Sequence, residues 1–184
     1  MPEAVTATPR GLDHLVIGVH DLDAAGALYE RLGFRVGARN RHPWGTENRI
    51  VQFPGSFLEL ISVGDVGAIE EPRPGRFSFG AFVRDALARG EGMSMLVLES
   101  LDAKADNRAF AAAGIGAYEP FSFERWAKRP SGEEVRVAFS LAFADDPEAP
   151  ECGFFVCEQH EPQNFWNPEF QRHDNGVTAL SAAI

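Results

Sequence analysis

The stretch GLDHLVIGVHDLDAAGALYERLGF, residues 11–34, contains the pattern of a strand, a turn and a helix. The run LVIGV is β-prone, and Asp21 stands where its carboxylate can accept hydrogen bonds from the first amides of a helix. Apolar residues recur at helical spacing from Ala25 to Leu32. Gly33 is suited to end the helix because glycine readily adopts positive φ. The segment therefore predicts a β-strand followed by an amphipathic helix.

The same pattern returns 81 positions later in GMSMLVLESLDAKADNRAFAAAGI, so that His14 aligns with Met95 and Asp21 with Asp102 without a gap. Three candidate strands follow each helix: FRVGARN, RIVQF and FLELISV, and then AYEPFSFER, EVRVAFSLAF and GFFVCEQH. FSFGAFVRDALARGEG, between the two sets, predicts a short helix that begins near Ser78. The sequence thus predicts an α+β fold of two tandem βαβββ units, at about residues 10–63 and 91–160, with a linker helix at about 77–90.

Composition narrows the classes of function. A formal net charge of −10 disfavours nucleic acid as a partner. No apolar run is long enough to predict a membrane span. The N-terminus lacks a basic start followed by an apolar run, so the expected location is the cytoplasm. Cys152 and Cys157 would lie about 16 Å apart on one strand, which predicts free thiols rather than a disulfide.

The C-terminal part of the sequence contains two further features. The aromatic segment NFWNPEF is expected to pack on the body of the domain or at an interface, whereas His173 is expected to be solvated. In NGVTALSAAI, Gly176 stands where Gly11 and Gly92 stood, so residues 171–184 resemble the start of a further unit. We expect this run to belong to such a unit or to pair as a strand with the body or with a neighbouring molecule.

An ionisable side chain lies within each of two apolar strands. Because neighbouring side chains alternate between faces, His14 shares a face with Val16, and Glu59 shares one with Phe57 and Ile61. A buried lone charge costs several kcal/mol unless it is paired or bound to a metal. Three interpretations therefore stand side by side: a hydrogen-bonded His14–Glu59 pair, a metal site, and unrelated surface positions.

The segments LDHLVIGVHDLDAA, YERLGF and FLELI together resemble the vicinal oxygen chelate superfamily, which includes glyoxalases, bleomycin-resistance proteins and extradiol dioxygenases. RHPWGTEN and the tail FFVCEQHEPQNFWNPEFQRHDNG are similar to its glyoxalase-like branch. The resemblance implies one domain over residues 10–170, in which two units form a half-open, mixed β-barrel around a cavity, with the helices outside. Because paired units in this superfamily assemble within or between chains, a homodimer is expected.

The resemblance also implies a metal centre, since ligands in this superfamily come from the first and fourth strands of each unit. His14 and Glu59 match the pair of the first unit. The second unit departs from the pattern, because Met95 stands at the position of His14 and a thioether is a poor ligand for a hard divalent ion.

The last strand of the second unit leaves two registers open. If Cys157 matches Glu59, then Gln159 shares its face; if Glu158 matches, then His160 does. Glu158 or His160 is therefore the expected third ligand of a divalent ion, which would be zinc, iron, manganese or nickel.

Several further residues are candidates for a binding cavity. His42, in the loop RHPWGTEN, is a candidate catalytic residue beside Glu59, with an ordinary exposed loop as the alternative. Lys128 and Arg129 would attract an anionic substrate if they lie over the cavity, and a solvated hairpin tip is the alternative. The candidate pocket residues are Trp44, Asn48, Phe57, Met95, Phe121, Phe123 and Trp126.

Two function hypotheses follow. The first is a metal-dependent isomerase, lyase or dioxygenase that acts on a small organic molecule with vicinal oxygens, in which the ion stabilises a developing enolate or similar anion. The second is a metal-free protein of the same fold that binds or sequesters a small hydrophobic molecule. In both cases the expected partner is a small molecule.

Overall fold

The computed structural model describes residues 10–129 and 131–183. Residues 1–9, from which the absence of a secretory leader is predicted, lie outside these ranges. Within the described ranges eight strands form one sheet, and four α-helices accompany it. The strands are β1 Leu12–Gly18, β2 Asn40–Arg41, β3 Thr46–Phe53, β4 Ser56–Val63, β5 Gly92–Glu99, β6 Phe121–Lys128, β7 Glu134–Ala144 and β8 Gly153–Gln159. Their order in the sheet is β2-β3-β4-β1-β5-β8-β7-β6. The helices are α1 Leu22–Arg31, α2 Phe79–Arg89, α3 Ala103–Ala113 and α4 Pro162–Phe165.

The two halves of the sheet repeat each other. In the first half β1 pairs in parallel with β4, and in the second half β5 pairs in parallel with β8. An antiparallel ladder between β1 and β5 joins the halves. The α+β fold with a curled, half-barrel sheet is therefore confirmed.

The predicted helix starts are also confirmed. Asp21 accepts hydrogen bonds from the amides of the first turn of α1, and Asp102 accepts one from Ala105 N at 2.8 Å. Ser78 Oγ accepts one from Ala81 N at 3.3 Å, at the start of the predicted linker helix. Each side chain satisfies an amide that the helix itself leaves without a partner.

One predicted strand is much shorter than expected. Of FRVGARN, only Asn40 enters a strand, the two-residue β2. The segment lies at the edge of the sheet, and the amide of Arg35 donates to Nδ1 of His173 at 2.9 Å instead of to a neighbouring strand. The amide of Gly37 still donates to the carbonyl of Ile50 on β3 at 2.8 Å, so the segment contacts the sheet without forming a continuous ladder.

Residues 162–176, the C-terminal segment, return to the first half of the domain. Gln52 Nε2 donates to the carbonyl of Phe165 at 2.8 Å, and His173 Nε2 lies 2.8 Å from the carbonyl of Gln52. Asn175 Nδ2 donates to the carbonyl of Leu32 at 2.9 Å. The prediction that NFWNPEF packs on the domain is confirmed, since Phe165 is buried. The prediction that His173 is solvated is wrong, because both ring nitrogens have backbone partners.

The remaining expectations have mixed outcomes. Residues 177–183 form no strand, and residue 184 lies outside the described ranges. The described part of NGVTALSAAI therefore does not pair with the sheet as a strand. Cys152 and Cys157 are free, as predicted. None of the helices in the described ranges combines the length and apolar character needed to cross a membrane.

Candidate functional site

A cavity of about 50 Å³ lies on one face of the sheet, where the two halves meet. Rings from both halves form much of its wall, including Phe57 on β4 and Phe155 on β8. The polar and ionisable residues that line it are His14, His42, Asn48, Glu59, Arg125 and Cys157. A mainly apolar enclosure with a few converging polar groups is the usual form of a small-molecule site.

The imidazole of His14 is held between aromatic rings. It is 4 % exposed, stacks on Phe57 with ring centroids 4.2 Å apart, and meets the edge of Phe155 at 5.5 Å. β1 pairs with β4 so that His14 lies beside Phe57 and Val16 beside Glu59. The expected convergence of His14 and Glu59 on one face is therefore present.

A bulge in β1 brings a second carboxylate to this face. The ladder with β5 shifts between Leu12 and His14, which leaves Asp13 as the extra residue. Asp13 is 3 % exposed; its Oδ1 lies 2.5 Å from His14 Nδ1, and its Oδ2 accepts from Gln159 Nε2 at 2.9 Å. Bulges re-aim side chains and are frequent beside active sites. Because an ionised carboxylate only accepts, Nδ1 carries the proton and Nε2 is left for the cavity side.

Glu59 is fixed on its other side by an amide. Asn48 Nδ2 donates to Glu59 Oε1 at 2.5 Å, and Asn40 Nδ2 donates to Asn48 Oδ1 at 2.9 Å. The second oxygen, Oε2, lies 3.7 Å from His14 Nε2. This separation is longer than a hydrogen bond. His14 and Glu59 thus form a close but not directly bonded pair at the cavity wall.

His42 lies in the same wall as a neutral ring. Its Nδ1 is 2.7 Å from Thr46 Oγ1, and its ring stacks on Trp44 with centroids 4.8 Å apart. Burial lowers the pKa of His42, and Arg125 also lowers it, whereas the charge of Glu59 raises it. The structure therefore places His42 at the cavity, while its catalytic role stays a prediction.

The lowered pKa of His42 predicts a loss of stability in acid. The unfolded chain binds a proton below the ordinary value of 6.5, while the folded protein resists protonation until a lower pH. The free energy of unfolding should therefore fall as the pH drops below 6.5, by at most about 1.4 kcal/mol per pH unit. Urea unfolding at pH 7.5, 6.0 and 5.0 measures this slope. His42→Gln should flatten it, whereas His20→Gln, at an exposed position, should leave it unchanged; equal slopes in all three proteins would contradict the assignment.

Glu158 and His160 lie on the opposite face of the sheet from His14 and Glu59. Glu158 Oε2 accepts from the amide of Ala103 in the first turn of α3 at 2.9 Å, and His160 Nε2 lies 2.8 Å from Ser140 Oγ. Alternation along β8 directs Phe155 and Cys157 to the cavity, and hence Glu158 away from it. Neither predicted third ligand therefore reaches the first-unit pair.

The sheet register also identifies the counterparts of His14 and Glu59 in the second unit. Val16 lies beside Glu59, and its counterpart Val97 lies beside Phe155. The second unit therefore offers Met95 and Phe155 at the two ligand positions, and neither is a ligand for a hard divalent ion.

The donor set does not fit the metal centre that the resemblance implies. Among the residues that the structure describes, no three side chains of His, Cys, Asp or Glu converge on one point. His14 and Glu59 are close enough to share an ion, but the other His and Cys side chains that line the cavity, His42 and Cys157, do not join them in one cluster. Cys157 also has an unsuitable protonation state. Burial and the nearby carboxylates of Asp13 and Glu59 hold the pKa of its thiol well above its ordinary value. A protonated thiol is a poor ligand.

The predicted pocket residues divide into two groups. Trp44, Asn48, Phe57 and Phe123 line the cavity, together with His14, His42 and Glu59. Met95 is fully buried in the apolar core, Phe121 packs on Trp44 at 5.3 Å beside the cavity, and Trp126 is 69 % exposed on the other face of β6. Lys128 is exposed as well, and Arg129 pairs with Glu133, as the hairpin-tip alternative predicted.

Sequence reasoning missed the ionisable lining residues Arg125 and Cys157, and also Asp13, which contacts His14. Arg125 is two positions after Phe123 and therefore shares its face, a signal that strand alternation offered. Cys157 could not be assigned to the cavity face from the sequence, because the register of β8 was open. Nothing in the sequence indicated that Asp13 contacts His14. Strand alternation predicts that the two side chains lie on opposite faces of the sheet, and only the bulge brings them to one face.

Comparison with known proteins gives the same fold. A hypothetical protein from Staphylococcus aureus superposes with a TM-score of 0.63 at 16 % identity, over 83 % of this chain and 60 % of that protein. A hypothetical protein from Bacillus halodurans gives 0.56 at 16 % identity, over 82 % and 95 %. A mutant 4-hydroxymandelate synthase from Streptomyces coelicolor gives 0.52 at 12 % identity, over 97 % of this chain and 57 % of the synthase.

These likenesses concern the fold alone, and the chain spans less than two thirds of the staphylococcal protein and of the synthase. No protein with a curated description matched the sequence. The model of the glyoxalase-like domain family matches residues 12–184, which is nearly the whole chain. With its two βαβββ halves around one cavity, the chain belongs to the glyoxalase-like domain family.

Proposed function

We propose that this domain binds a small organic molecule with adjacent oxygen functions in its cavity and exchanges a proton with it through His14 and Glu59. The observation that carries the proposal is the buried array of Asp13, His14 and Glu59 beside an aromatic enclosure. Asp13 orients the imidazole as a fixed second partner, which is how carboxylates position catalytic histidines. Asn48 orients Glu59 in the same way.

The two positioned groups fit proton transfer at a carbon next to a carbonyl. In an α-hydroxy ketone, Glu59 would take the proton from the carbon that bears the hydroxyl, and the electron pair of that bond would move to the carbonyl oxygen. With a proton on Nε2 as well, the His14 ring would donate a hydrogen bond to that oxygen, and Nε2 lies 3.7 Å from Glu59 Oε2. Return of the proton restores the ketone or gives its isomer. General acid–base groups of this kind contribute about 10²- to 10⁴-fold to a rate.

Deuterium exchange tests this proposal. Hydroxyacetone and 2-hydroxyacetophenone, a small and a larger α-hydroxy ketone, are incubated with the protein in D₂O, and exchange at the hydroxyl-bearing carbon is followed by NMR. The wild-type protein should accelerate exchange of at least one probe over buffer. Glu59→Gln should remove about 100-fold or more of that acceleration, because an amide cannot accept the proton.

Glu158→Gln is the matched control, since Glu158 is also a partly buried carboxylate of the sheet but lies on the opposite face. It should exchange like the wild-type protein. Acceleration that survives in Glu59→Gln would contradict the proposal. Binding of both probes without any acceleration would leave the second candidate, a metal-free binding protein, which the mainly apolar cavity wall favours.

A metal-dependent form of this function is the other candidate, favoured by the closeness of His14 and Glu59. Zinc, manganese, nickel and ferrous iron are added separately to the purified protein, and metal content and thermal stability are measured. The incomplete donor set predicts no stoichiometric ion and no stabilisation that His14→Ala abolishes. A tightly held ion lost in that variant would favour the metal-dependent form.

Two further proposals come from the sequence expectations. We propose a homodimer, which light scattering on the purified protein tests. We also propose a cytoplasmic location, which fractionation of cells that express the protein tests.

A further inference from the structure

Arg125 places a cation in the wall of the apolar cavity. It lies on β6, opposite Val137 of β7, on the face that it shares with Phe123. Burial lowers the pKa of its guanidinium, and the charge of Glu59 raises it. A charged group that is withdrawn from water is stabilised by a partner of opposite charge in the same enclosure.

Two other cations of this region already have such partners. Arg129 pairs with Glu133 at 2.8 Å, and Arg136 pairs with Glu124 at 2.6 Å. Within residues 10–129 and 131–183, no carboxylate forms an ion pair or a hydrogen bond with Arg125. Glu59 acts on Arg125 only through its charge, and one of its oxygens is taken by Asn48.

A second donor in the cavity wall also lacks an acceptor. The indole Nε1 of Trp44 is buried and has no hydrogen-bond partner among the described residues. Trp44 is stacked on His42 and meets the edge of Phe123 at 5.0 Å, so its ring is fixed in place. An unsatisfied buried donor costs roughly as much as a lost hydrogen bond, and it is unusual in a folded protein.

We infer that the ligand of this cavity is an organic acid, whose carboxylate binds the guanidinium of Arg125 while its adjacent oxygen lies toward His14 and Glu59. This inference rests on the proposed function and names its substrate class. An arginine fork matches a carboxylate with two parallel N–H donors. A carboxylate supplies acceptor lone pairs beyond those that Arg125 uses, and the Trp44 N–H is a further donor in the same wall. The apolar body of the acid packs against the phenylalanine rings.

Matched pairs of probes test the charge directly. Lactate is compared with 1,2-propanediol, and phenyllactate with 3-phenyl-1,2-propanediol. The two members of each pair have the same carbon skeleton, and the carboxylate of the acid is replaced by a hydroxymethyl group in the diol. Affinities for the wild-type protein are measured by NMR titration at pH 7.5. The acid of a pair should bind about 10- to 100-fold more tightly than its diol, as expected for a hydrogen bond between charged groups.

Three variants assign that preference to Arg125. Arg125→Gln should lose it and bind acid and diol alike, and Arg125→Lys should keep part of it because the charge remains but the fork is lost. Lys128→Gln is the matched control, since it removes an exposed cation from the same strand, and it should keep the full preference. Binding of the diols by Arg125→Gln at wild-type affinity shows that the variant is folded.

The possible results separate this inference from the proposed function. If the wild-type protein binds diols and acids equally, or if Lys128→Gln lowers acid affinity as much as Arg125→Gln, the assignment of an acid to Arg125 is overturned and the cavity still binds neutral molecules. If neither acids nor diols bind, the proposed function fails and this inference fails with it.

Discussion

Replacement of Asp13 by alanine is expected to lower the free energy of unfolding by about 2–6 kcal/mol, since it leaves two hydrogen-bond donors without an acceptor at about 1–3 kcal/mol each. The carboxylate is 3 % exposed and accepts from two groups, the imidazole of His14 and the amide of Gln159. Its loss leaves a buried donor on His14 and a partly buried donor on Gln159 without their acceptor. Urea unfolding at pH 7.5 measures the change.

Asp23→Ala is the matched control for this prediction, because Asp23 pairs with Arg39 at a side chain that is 76 % exposed. An exposed ion pair of this kind contributes at most about 1 kcal/mol. Asp13→Asn adds a separate readout, since an amide can donate to Nδ1 and change which ring nitrogen of His14 carries the proton. Imidazole ¹⁵N shifts report that change. A cost near that of Asp23→Ala, with unchanged shifts, would show that Asp13 does not position His14.

Replacement of Phe143 by alanine should be about as destabilising, at roughly 3–5 kcal/mol. Phe143 is 1 % exposed and stacks on Phe77 with ring centroids 3.8 Å apart. It also contacts Phe121 at 5.7 Å and Phe155 at 5.3 Å, so it supports one of the rings of the cavity wall. Its removal leaves a void that the surrounding strands cannot close, which adds to the lost burial of the ring itself.

Trp126→Ala is the control for size and aromatic character, since this larger ring is 69 % exposed. Its loss should cost less than about 1 kcal/mol. Thermal and urea unfolding of both variants provide the comparison. If Phe143→Ala costs no more than Trp126→Ala, the aromatic cluster between α2 and β7 does not carry the stability assigned to it.

The repeated unit was predictable because its signals are local. Asp21, Ser78 and Asp102 each precede an apolar pattern of helical period, and all three cap a helix in the structure. Strand alternation alone placed His14 and Glu59 on apolar faces of their strands. The convergence of the two side chains was implied by the resemblance to the superfamily, because the order of residues along one element does not show how two strands meet.

The parts that failed depend on how elements meet. β8 is apolar on both faces from Phe154 to Cys157, so alternation could not determine which face Glu158 occupies. The side chain of Asp13 reaches His14 through a shift in the ladder between β1 and β5, and the sequence of neither strand alone predicts that shift. The segment expected to form a strand after α1 contributes only Asn40 to β2, and the amide of Arg35 within it donates to His173, more than a hundred residues away along the chain.

The return of the C-terminal segment to the first half has a consequence for biosynthesis. A chain is made from its N-terminus, and domains fold as their residues leave the ribosome. The backbone groups of Leu32, Arg35 and Gln52 nevertheless receive their partners from His173 and Asn175 in the C-terminal segment. The nascent first unit therefore emerges with these groups in water and the cavity side of its sheet uncovered, and it reaches its final form only after the C-terminal segment has been made.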